Sequence, residues 1–466
     1  MTKKEFLTTM QAIMPFEPTA GQKEAILCFA NYFAGKTSQA LMILKGYAGT
    51  GKTTLISALV KFFKQIDIEI VLLAPTGRAA KVLSNYAQCP AYTIHKEIYK
   101  VKDTVRGLAL VRNKNKHQNT IFFVDEASMI YDNLSSQTSI FSQHSLLDDL
   151  FSYVTDGKNC HLVFIGDMAQ LPPIGLEFSP ALDGDFLKNC YSRQIFETEL
   201  TEVMRQEYQS GILWHATQIR NAMKYQQFGE YKFDNQNFDD VIMLSSAEMF
   251  EELQNAYQQY GGNGVVFITK SNKQANWFNQ GIRSRILFME NELDVGDFVM
   301  NVKNNYFWLP NNASTLFIAN GDIMEVLAIR NMEERYGFHF ADVTLKLVDY
   351  DMESIDVKVI LDTLTSEEAS LSIEQSRLLY EAIYENYSYL PTSKEIRKAI
   401  KNDEYYNALQ IKFSYVQTCH KTQGGQWEKV FILLWNNVEQ MQTITYYRWL
   451  YTAVTRASKQ LYIIHQ

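Results

Sequence analysis

Cysteine is scarce in this sequence, and its spacing matches neither a disulfide framework nor a cysteine-based zinc site. The 466 residues include five cysteines, and none of them forms a C-x-x-C pair. Secreted disulfide-rich domains and zinc-binding domains depend on such clusters. The cysteine content therefore fits a reducing compartment, and we expect a cytoplasmic protein.

Long apolar runs are also missing. No run approaches the roughly 18 consecutive apolar residues of a membrane span. The first residues, MTKKEFLTTMQAIMP, interrupt their apolar side chains with threonine and glutamine, unlike the continuous apolar stretch of a signal peptide. We therefore expect a soluble, unexported protein with no membrane partner. The sequence also contains no internal repeat of fixed period and no low-complexity tract.

The sequence lacks an excess of positive charge. Its 44 basic residues are outnumbered by 52 acidic residues, which gives a net charge of −8. Non-specific affinity for nucleic acid comes from neutralisation of phosphates by Lys and Arg, so any nucleic-acid site must be local. One candidate is the basic stretch HKEIYKVKDTVRGLALVRNKNKHQ at residues 95–118. This stretch is either a solvated loop or such a contact.

What the sequence does contain is two series of short apolar runs separated by helix-forming segments. Near-continuous apolar strands that alternate with helices are typical of a parallel sheet covered on both faces. The sequence therefore predicts two α/β cores, and its length is consistent with about three domains. The runs are LMILK (41–45), IVLLA (70–74), IFFV (121–124) and HLVFI (161–165), then VVFI (265–268), VFILL (430–434) and LYII (461–464).

Two segments interrupt this alternation. Residues 330–407 first alternate like antiparallel strands (HFADVTLKLVDYD) and then become helical and polar (SIEQSRLLYEAIYENY). Residues 96–118 form a shorter interruption, in which Gly107 is available for a hairpin turn. We interpret both segments as insertions, one in each core.

The stretch GYAGTGKTT, residues 46–54, follows the run LMILK and precedes the helix-forming run LISALVKFF. Its glycines Gly46, Gly49 and Gly51 allow successive backbone amides to converge on an anion. Lys52 and Thr53 complete the G-x-x-x-x-G-K-[ST] pattern of a phosphate-binding loop. This strand–loop–helix context predicts nucleotide binding.

Polar residues follow the next two strands. Asp125 and Glu126 come directly after IFFV, where one carboxylate can bind the metal ion held by Thr53 and the other can polarise an attacking water. The run HLVFI ends in GDMAQLPPIG, residues 166–175, which places Gln170 at the ligand-binding edge of the sheet. The Gln170 amide can form a hydrogen bond to the γ-phosphate, or Gln170 can be an ordinary loop residue. The carboxylate pair favours nucleotide hydrolysis over nucleotide binding alone.

The order of motifs along the chain resembles superfamily 1 DNA helicases of the RecD-like and phage Dda-like branch. The matching stretches cover nearly the whole sequence. They are TAGQKEAI (19–26), GYAGTGKTT (46–54), APTGRAAKVL (74–83), TIHK (93–96), VDEASM (124–129), GDMAQLPPIG (166–175), LTEVMRQ (200–206), ITKSNKQANWFNQGIR (268–283), NGD (320–322), TCHKTQGGQW (418–427) and YTAVTRA (451–457).

The resemblance implies a site for ATP and Mg²⁺ between two RecA-like cores. Gln22 matches the glutamine that reads adenine, and Glu126 matches the catalytic base. Arg205 and Arg456 match two arginines that reach the γ-phosphate from opposite sides of the cleft, where charge stabilisation assists phosphoryl transfer. Lys52 and Gln170 complete the implied catalytic set. The implied nucleotide ligands are Gln22, Gly46, Ala48, Gly49, Thr50, Gly51, Lys52, Thr53, Thr54 and Gly425, with Thr53 and Asp125 on the metal.

The resemblance also implies a path for single-stranded DNA across both cores. Hydroxyls, backbone amides and a few cations suit phosphate contacts, which position a strand without reading its sequence. Such a channel needs few cations and so is compatible with an acidic protein. The two histidines in the implied set can instead be core residues. The implied contacts are Pro75, Thr76, Arg78, Thr93, His95, Thr269, Asn304, Thr418 and His420.

The same resemblance suggests a division into domains. The insertion in the first core resembles a duplex-splitting pin, and the later insertion resembles an SH3-like domain with helical elaboration. One departure is Gln426, because relatives usually carry Glu at this position, where a contact to the nucleotide sugar is expected. The expected ranges are 1–95 and 119–225 for the first core, 96–118 for the pin, 226–329 and 408–466 for the second core, and 330–407 for the SH3-like insertion.

The resulting hypothesis is a monomeric, ATP-driven 5′-to-3′ DNA helicase and single-strand translocase. It would act on single strands and on junctions with duplex, with possible protein partners in replication, recombination or repair. The polarity is implied by the resemblance. One alternative is an ATP-gated module that holds single strands or recruits a partner without unwinding, with residues 370–407 as a docking surface. Another is the motor subunit of a larger recombination nuclease.

Overall fold

The computed structural model describes residues 3–35, 40–104, 107–130, 145–203, 210–309, 317–350, 354–435 and 437–465. These residues form two parallel sheets, a closed barrel and a two-stranded hairpin. The strands are β1 (Ala40–Gly46), β2 (Glu69–Ala74), β3 (Ala91–Thr93), β4 (Tyr99–Thr104), β5 (Gly107–Arg112), β6 (Thr120–Val124), β7 (His161–Gly166), β8 (Gln194–Leu200), β9 (Val241–Leu244), β10 (Val265–Thr269), β11 (Phe298–Asn301), β12 (Ile323–Arg335), β13 (Phe338–Leu347), β14 (Ile355–Ile360), β15 (Leu409–Phe413), β16 (Val416–Thr418), β17 (Trp427–Leu433) and β18 (Ala457–Ile464).

Helices cover both sheets and one side of the barrel. None of the described helices combines the length and the apolar character needed to cross a membrane. The helices are α1 (Lys3–Ile13), α2 (Ala20–Ala34), α3 (Lys52–Gln65), α4 (Gly77–Ala87), α5 (Ile94–Ile98), α6 (Leu146–Asp156), α7 (Gly184–Tyr191), α8 (Gly211–Lys224), α9 (Met249–Gly264), α10 (Asn272–Arg285), α11 (Asp362–Thr365), α12 (Ile373–Asn386), α13 (Ser393–Lys401), α14 (Val438–Met441) and α15 (Ile444–Val454).

The first core is a parallel sheet with strand order β3-β2-β6-β7-β1-β8. Side chains of successive residues in a strand point to opposite faces, so a strand buried on both faces must be apolar throughout. In β1, Met42 and Leu44 join the cluster formed by α1, α2 and α3, whereas Leu41 and Ile43 join the cluster formed by α6 and α7. The four predicted apolar runs of this core are confirmed as β1, β2, β6 and β7.

The second core is a parallel sheet with strand order β16-β10-β17-β18-β9. Its three predicted apolar runs are confirmed as β10, β17 and β18. Helix α8 packs on this core, because Ile212 and Ala216 share an apolar cluster with Leu450 of α15. The expected first-core range of 119–225 is therefore too long at its end. Local sequence does not indicate which of the two sheets α8 covers.

The insertion in the second core contains a closed barrel with strand order β11-β12-β13-β14-β15. Strands β12 and β13 form a long antiparallel ladder, as the alternating sequence predicted. The barrel also includes β11 and β15, which lie outside the expected range of 330–407. These strands are short and do not alternate clearly, so the sequence pattern did not separate them from the core. Helices α12 and α13 pack on the outside of the barrel through Leu379, Ile383, Ile396 and Ile400.

The insertion in the first core contains a hairpin of β4 and β5. The two strands pair in antiparallel register from Tyr99 opposite Arg112 to Thr104 opposite Gly107. Gly107, which we expected in the turn, is thus the first residue of β5. The hairpin follows edge strand β3 and the short helix α5 directly in the chain.

Candidate nucleotide site and adjoining strand edges

The phosphate-binding loop connects β1 to α3. Gly49 and Gly51 have φ angles of 73° and 81°, which are left-handed conformations that glycine adopts without strain. The Lys52 ammonium lies inside the loop and donates to the carbonyl oxygens of Gly46 at 2.6 Å and Tyr47 at 2.8 Å. The loop therefore encloses its lysine at the N-terminus of a helix, where backbone amides and the helix dipole favour an anion.

The two candidate carboxylates lie at the end of β6, with β7 between this strand and β1. The Asp125 carboxylate accepts the Glu126 amide at 2.9 Å and also accepts the hydroxyl of Tyr86 from α4. Glu126 has a left-handed φ of 51°, which turns the chain sharply after the strand. Tyr86 was not predicted from the sequence, because nothing in its local pattern distinguishes it from other aromatic residues of an amphipathic helix.

Burial dominates the electrostatics of these acids. It raises the pKa of Glu126 to about 7, against the nearby charge of Arg456. It also raises the pKa of Asp125, although the hydrogen bond from Tyr86 opposes the shift. Asp167, at the end of β7, has a pKa raised by burial and opposed by the charge of Lys52. A buried cluster of carboxylates with shifted pKa values is typical of a functional site.

The second core contributes Arg456, which is 4% exposed. Its guanidinium donates to the carbonyl oxygens of Thr452 at 3.0 Å and Gly425 at 3.1 Å, and to the Thr455 hydroxyl at 3.2 Å. These bonds to its own core hold the side chain in the wall that faces Glu126. Arg456 and Glu126 line the same cavity between the cores.

Helix α15 of the second core is hydrogen-bonded directly to the first core. The Tyr451 hydroxyl donates to Asp167 and accepts the Ala48 amide of the phosphate-binding loop. The Leu171 amide donates to the Thr452 hydroxyl at 2.9 Å, and Gln423 donates to the Leu171 carbonyl at 2.7 Å. These buried hydrogen bonds join the two cores directly. Asp167 lies in a motif that the sequence singled out, but its contact with Tyr451 had no local signal.

A cavity of about 370 Å³ lies between the cores. The amide oxygen of Gln170 is buried in this region without a described hydrogen-bond partner, so it can accept a bond from a ligand. Gln426, the departure from the family pattern, also lines the cavity. The sequence-predicted residues that line it are Ala48, Gly49, Gly51, Lys52, Thr53, Thr54, Asp125, Glu126, Gln170 and Arg456.

Four predicted nucleotide ligands lie behind this lining. The side chain of Gln22 forms a capping box with Thr19 at the start of α2, and its amide nitrogen donates to the Thr50 carbonyl at 3.4 Å. The Thr50 hydroxyl donates to the Tyr47 carbonyl at 2.8 Å. Gly46 and Gly425 accept bonds from Lys52 and Arg456. Gln22, Gly46 and Thr50 therefore support the loop from within the first core, whereas Gly425 supports Arg456 in the second. The predicted Arg205 lies outside the described residues.

Four predicted DNA contacts are threonines at the edges of the two sheets. Thr93 ends β3 beside β2, and Thr76 follows β2. Thr269 and Thr418 are register partners at the ends of β10 and β16. Thr76 and Thr93 also cap α4 and α5, because their hydroxyls accept the amides of the third residue beyond them. Each core therefore carries a threonine pair at the carboxyl end of two adjacent strands.

Other predicted DNA contacts have partners within the protein. The Arg78 guanidinium stacks 3.8 Å from the ring centre of Trp427 and donates to the Gln426 carbonyl, so it joins the two cores. His95 packs against the rings of Tyr99 and Phe317, and burial lowers its pKa to about 4.

The remaining predicted contacts lie near the strand ends. Burial also lowers the pKa of His420, so neither histidine supplies a cation at neutral pH. The side chain of Asn304 accepts the Asn320 amide at 2.7 Å. Pro75 connects the end of β2 to the cap of α4.

A phosphate-binding loop on one α/β core that faces an arginine on a second α/β core is the arrangement of two-core P-loop nucleotide hydrolases. The chain is a member of this class. Its two family matches lie on the two sides of the cavity. An AAA domain model matches residues 19–236, and a UvrD-like helicase C-terminal domain model matches residues 413–464.

Three relatives cover different shares of the chain. An uncharacterized protein of Acanthamoeba polyphaga mimivirus is 23% identical over 92% of this chain and 96% of its own length. The ATP-dependent DNA helicase dda of Enterobacteria phage T4 is 26% identical over 60% of each protein. The ATP-dependent RecD2 DNA helicase of Deinococcus radiodurans is 23% identical over 57% of this chain and 34% of its own length. The chain belongs to the superfamily 1 helicases of the RecD-like and Dda-like branch, and it is an enzyme of the ATP-dependent DNA helicase class.

Proposed function

We propose that this enzyme is a 5′-to-3′ DNA helicase that uses ATP to translocate along single-stranded DNA. The observation that carries the proposal is one cavity lined by Lys52 and Glu126 of the first core and Arg456 of the second. A nucleotide bound there contacts both cores, so its hydrolysis changes how tightly they are held together. Coupling of this change to strand contacts on both cores moves the enzyme along the strand.

The residues of the cavity suit ATP with Mg²⁺. Amides of the phosphate-binding loop and Lys52 hold the phosphates. Thr53 and Asp125 line the same cavity and offer the oxygen ligands that Mg²⁺ prefers, and the ion would neutralise charge on the β- and γ-phosphates. Glu126 orients the attacking water, and Gln170 reports the γ-phosphate. Arg456 stabilises charge that develops during transfer, and Arg205 is the second arginine proposed for this role.

The threonine pairs at the strand ends are the proposed track for DNA. Thr76, just beyond β2, and Thr93, at the end of β3, lie at one edge of the first sheet, and Thr269 and Thr418 end two adjacent strands at one edge of the second. Thr269 is fully buried and its hydroxyl donates to the Ser271 carbonyl, so Thr418 and the backbone amides beyond the strand ends would supply the contacts on the second core. Hydroxyls and the amides of the capped helices suit phosphate oxygens, and such contacts do not depend on base sequence. Two sets of contacts, one on each core, allow the cores to grip the strand alternately.

Helix α4 supports a direct connection between the track and the nucleotide cavity. Its N-cap is Thr76, and near its other end Tyr86 donates to the Asp125 carboxylate. The Ser57 hydroxyl of α3 donates to the Tyr86 carbonyl at 2.9 Å, which ties α4 to the helix that follows the phosphate-binding loop. Binding of a strand at Thr76 therefore biases the position of a proposed metal ligand. This connection provides a route for DNA to stimulate ATP hydrolysis.

The β4–β5 hairpin is the proposed pin, because it follows Thr93 at the edge of the first sheet after one short helix, α5. The division into two cores, a pin and a barrel domain is part of the same proposal. We expect a monomer that acts at single/double-strand junctions during replication, recombination or repair. The 5′-to-3′ direction and the choice of DNA over RNA are the parts of the proposal that a single assay can test.

That assay is strand displacement on duplexes that carry either a 5′ or a 3′ single-stranded tail, made of DNA or of RNA. The proposal predicts unwinding of the 5′-tailed DNA duplex, dependent on ATP and Mg²⁺. Unwinding of the 3′-tailed duplex alone would reverse the polarity. Tight strand binding with neither unwinding nor stimulated ATP hydrolysis would favour the ATP-gated binding module. The Lys52→Ala variant is the control, and it should lose ATP hydrolysis while its circular dichroism spectrum stays unchanged.

A further inference from the structure

A groove of about 630 Å³ lies on the outer side of the barrel, separate from the nucleotide cavity. We call it the hairpin groove after the helical hairpin of α12 and α13, which is distinct from the β4–β5 hairpin. Residues 303–307 and 406–410 complete its lining. Helix α13 forms one wall and turns its apolar residues Ile396 and Ile400 into the barrel cluster. The groove is therefore built between packed elements rather than on an isolated helix.

The described charged residues that line the hairpin groove are all cations. Its lining contains four cations and, among the described residues, no Asp or Glu. Arg377 is paired with Glu374 and Glu381 on its own helix. The other cations, Lys303, Lys398 and Lys401, form no ion pair with the described residues. In a chain of net charge −8, an unpaired cluster of this kind favours an anionic ligand.

The same lining contains aromatic rings. Tyr306 and Phe307 lie on one side, and Tyr380 and Tyr406 lie on the other. The rings of Tyr380 and Tyr406 are 6.1 Å apart, and Tyr406 is 43% exposed. Lysines interleaved with accessible aromatic rings are the combination that binds single-stranded nucleic acid, because phosphates meet the cations and bases stack on the rings.

The hairpin groove lies beside the first-core end of the proposed DNA track. The Tyr306 ring lies 4.8 Å from the Phe317 ring, which lies 5.5 Å from the His95 ring beside Thr93. Asn304, a predicted DNA contact, also lines the groove. Phe317 is 4% exposed, so these rings pack beneath the surface and place the groove beside the track. A strand that leaves the track near Thr93 can reach the groove, whose described lining contains no Asp or Glu.

We propose that the hairpin groove binds single-stranded nucleic acid and holds nucleotides that extend beyond the track on the two cores. This inference rests on the proposed function, because the track supplies the strand that the groove receives. The groove would extend the strand-binding site and would take no part in ATP hydrolysis. Its effect should therefore grow with strand length and should leave the chemistry in the nucleotide cavity unchanged.

The test compares two double variants of α13 in the full chain. Lys398→Ala/Lys401→Ala removes two groove cations. The matched control Lys394→Ala/Arg397→Ala removes two exposed cations of the same helix that do not line the groove. Binding of fluorescent oligothymidines of about 8 and about 20 nucleotides, one within the track and one beyond it, is measured at several salt concentrations.

The groove variant should bind the long oligothymidine about tenfold more weakly and with a salt slope reduced by about 1.4, which corresponds to two lost phosphate contacts. Its affinity for the short oligothymidine, and the ATP hydrolysis that the short strand stimulates, should match those of the wild type. The control variant should match the wild type for both strands. Equal weakening by both variants, or by neither, would overturn the proposal.

Stacking is tested with Tyr406. Tyr406→Ala should weaken binding of the long strand about tenfold, whereas Tyr406→Phe should bind normally because it keeps the ring. An equally tight complex with a polyglutamate peptide of similar length would overturn the assignment to nucleic acid and indicate an acidic protein partner. Failure of the short strand to bind or to stimulate the wild type would instead contradict the proposed motor function.

Discussion

The Tyr451 hydroxyl on the second core lies 2.6 Å from Asp167 Oδ2 and 2.9 Å from the Ala48 amide nitrogen on the first. One side chain thus connects α15 to both the phosphate-binding loop and the end of the adjacent strand β7. Asp167 is buried, so this bond forms where water does not compete. The relative position of the cores is therefore set beside the phosphates of a bound nucleotide.

Removal of this hydroxyl should weaken the contact between the cores. Tyr451→Phe leaves the Asp167 carboxylate and the Ala48 amide without this partner, and it should lower the free energy of unfolding by about 2 kcal/mol. ATP hydrolysis should fall about tenfold, because the loop is less well positioned. Urea unfolding and steady-state ATPase assays measure both effects. The control is Tyr446→Phe on the same helix, since the Tyr446 hydroxyl has no described hydrogen-bond partner. Equal behaviour of the two variants would contradict this role of Tyr451.

Tyr86 should act through Asp125. Tyr86→Phe removes the hydroxyl that donates to this carboxylate, and loss of such a supporting bond typically lowers metal affinity by 10- to 100-fold, roughly. The Mg²⁺ concentration for half-maximal ATP hydrolysis, and for Mg²⁺-dependent ADP binding, should rise accordingly. Tyr92→Phe, which alters an exposed ring, should leave both Mg²⁺ titrations unchanged. An unaltered Mg²⁺ dependence in Tyr86→Phe would mean that the bond does not position the metal ligand.

Glu126 should be needed for hydrolysis but not for nucleotide binding. Glu126→Gln keeps the shape of the side chain but cannot accept a proton, so the rate should fall by roughly 10²- to 10⁴-fold. Affinity for a fluorescent ATP analogue should change by less than about threefold, since the phosphates are held by the loop. Rapid-quench measurement of a single turnover isolates the chemical step. A variant that hydrolyses ATP at the wild-type rate would remove Glu126 from the mechanism.

Asp322 should make the stability of the protein depend on pH. Burial raises its pKa to about 7, whereas an aspartate in the unfolded chain titrates near 3.9. Between these values the folded state binds more protons than the unfolded state, so the free energy of unfolding falls as the pH rises, by at most about 4 kcal/mol. The carboxyl accepts the Tyr350 hydroxyl, and the Tyr350 ring packs against Gly77 at the start of α4.

The measurement is the urea midpoint of unfolding from pH 5 to pH 8. Asp322→Asn removes one titrating group and should make the decline shallower without abolishing it, because burial also raises the pKa of Glu126 to about 7. Asp67→Asn at an exposed turn should retain the wild-type slope. A decline that persists unchanged in Asp322→Asn would assign the pH dependence to other groups.

The sequence predicted the strongly apolar elements well. The seven runs that it singled out are strands of the two sheets, because a strand buried on both faces must be apolar along its whole length. Short or edge strands such as β3, β8, β9 and β16 were missed, since few residues or a mixed pattern define them. The alternation in HFADVTLKLVDYD predicted antiparallel strands, and the family resemblance implied an SH3-like domain, but the first and last strands of the barrel were not predicted.

The residues of the candidate site likewise fall into those that the sequence predicted and those that it did not. Residues within contiguous motifs, such as Lys52 and Glu126, could be proposed from local spacing alone. Tyr86 and Tyr451 act through contacts with residues far away in the chain, and no local pattern marks such contacts. Arg78 shows the reverse case, because its motif suggested DNA but its guanidinium packs on Trp427 of the other core.

The most direct test of the proposed mechanism is a crystal structure with DNA, Mg²⁺ and a non-hydrolysable ATP analogue. We expect the triphosphate in the cavity between the cores, with the Lys52 ammonium and the Arg456 guanidinium both in hydrogen-bond contact with its terminal phosphate. A nucleotide bound to the first core alone, with Arg456 turned away from it, would contradict the central claim that the two cores share the nucleotide.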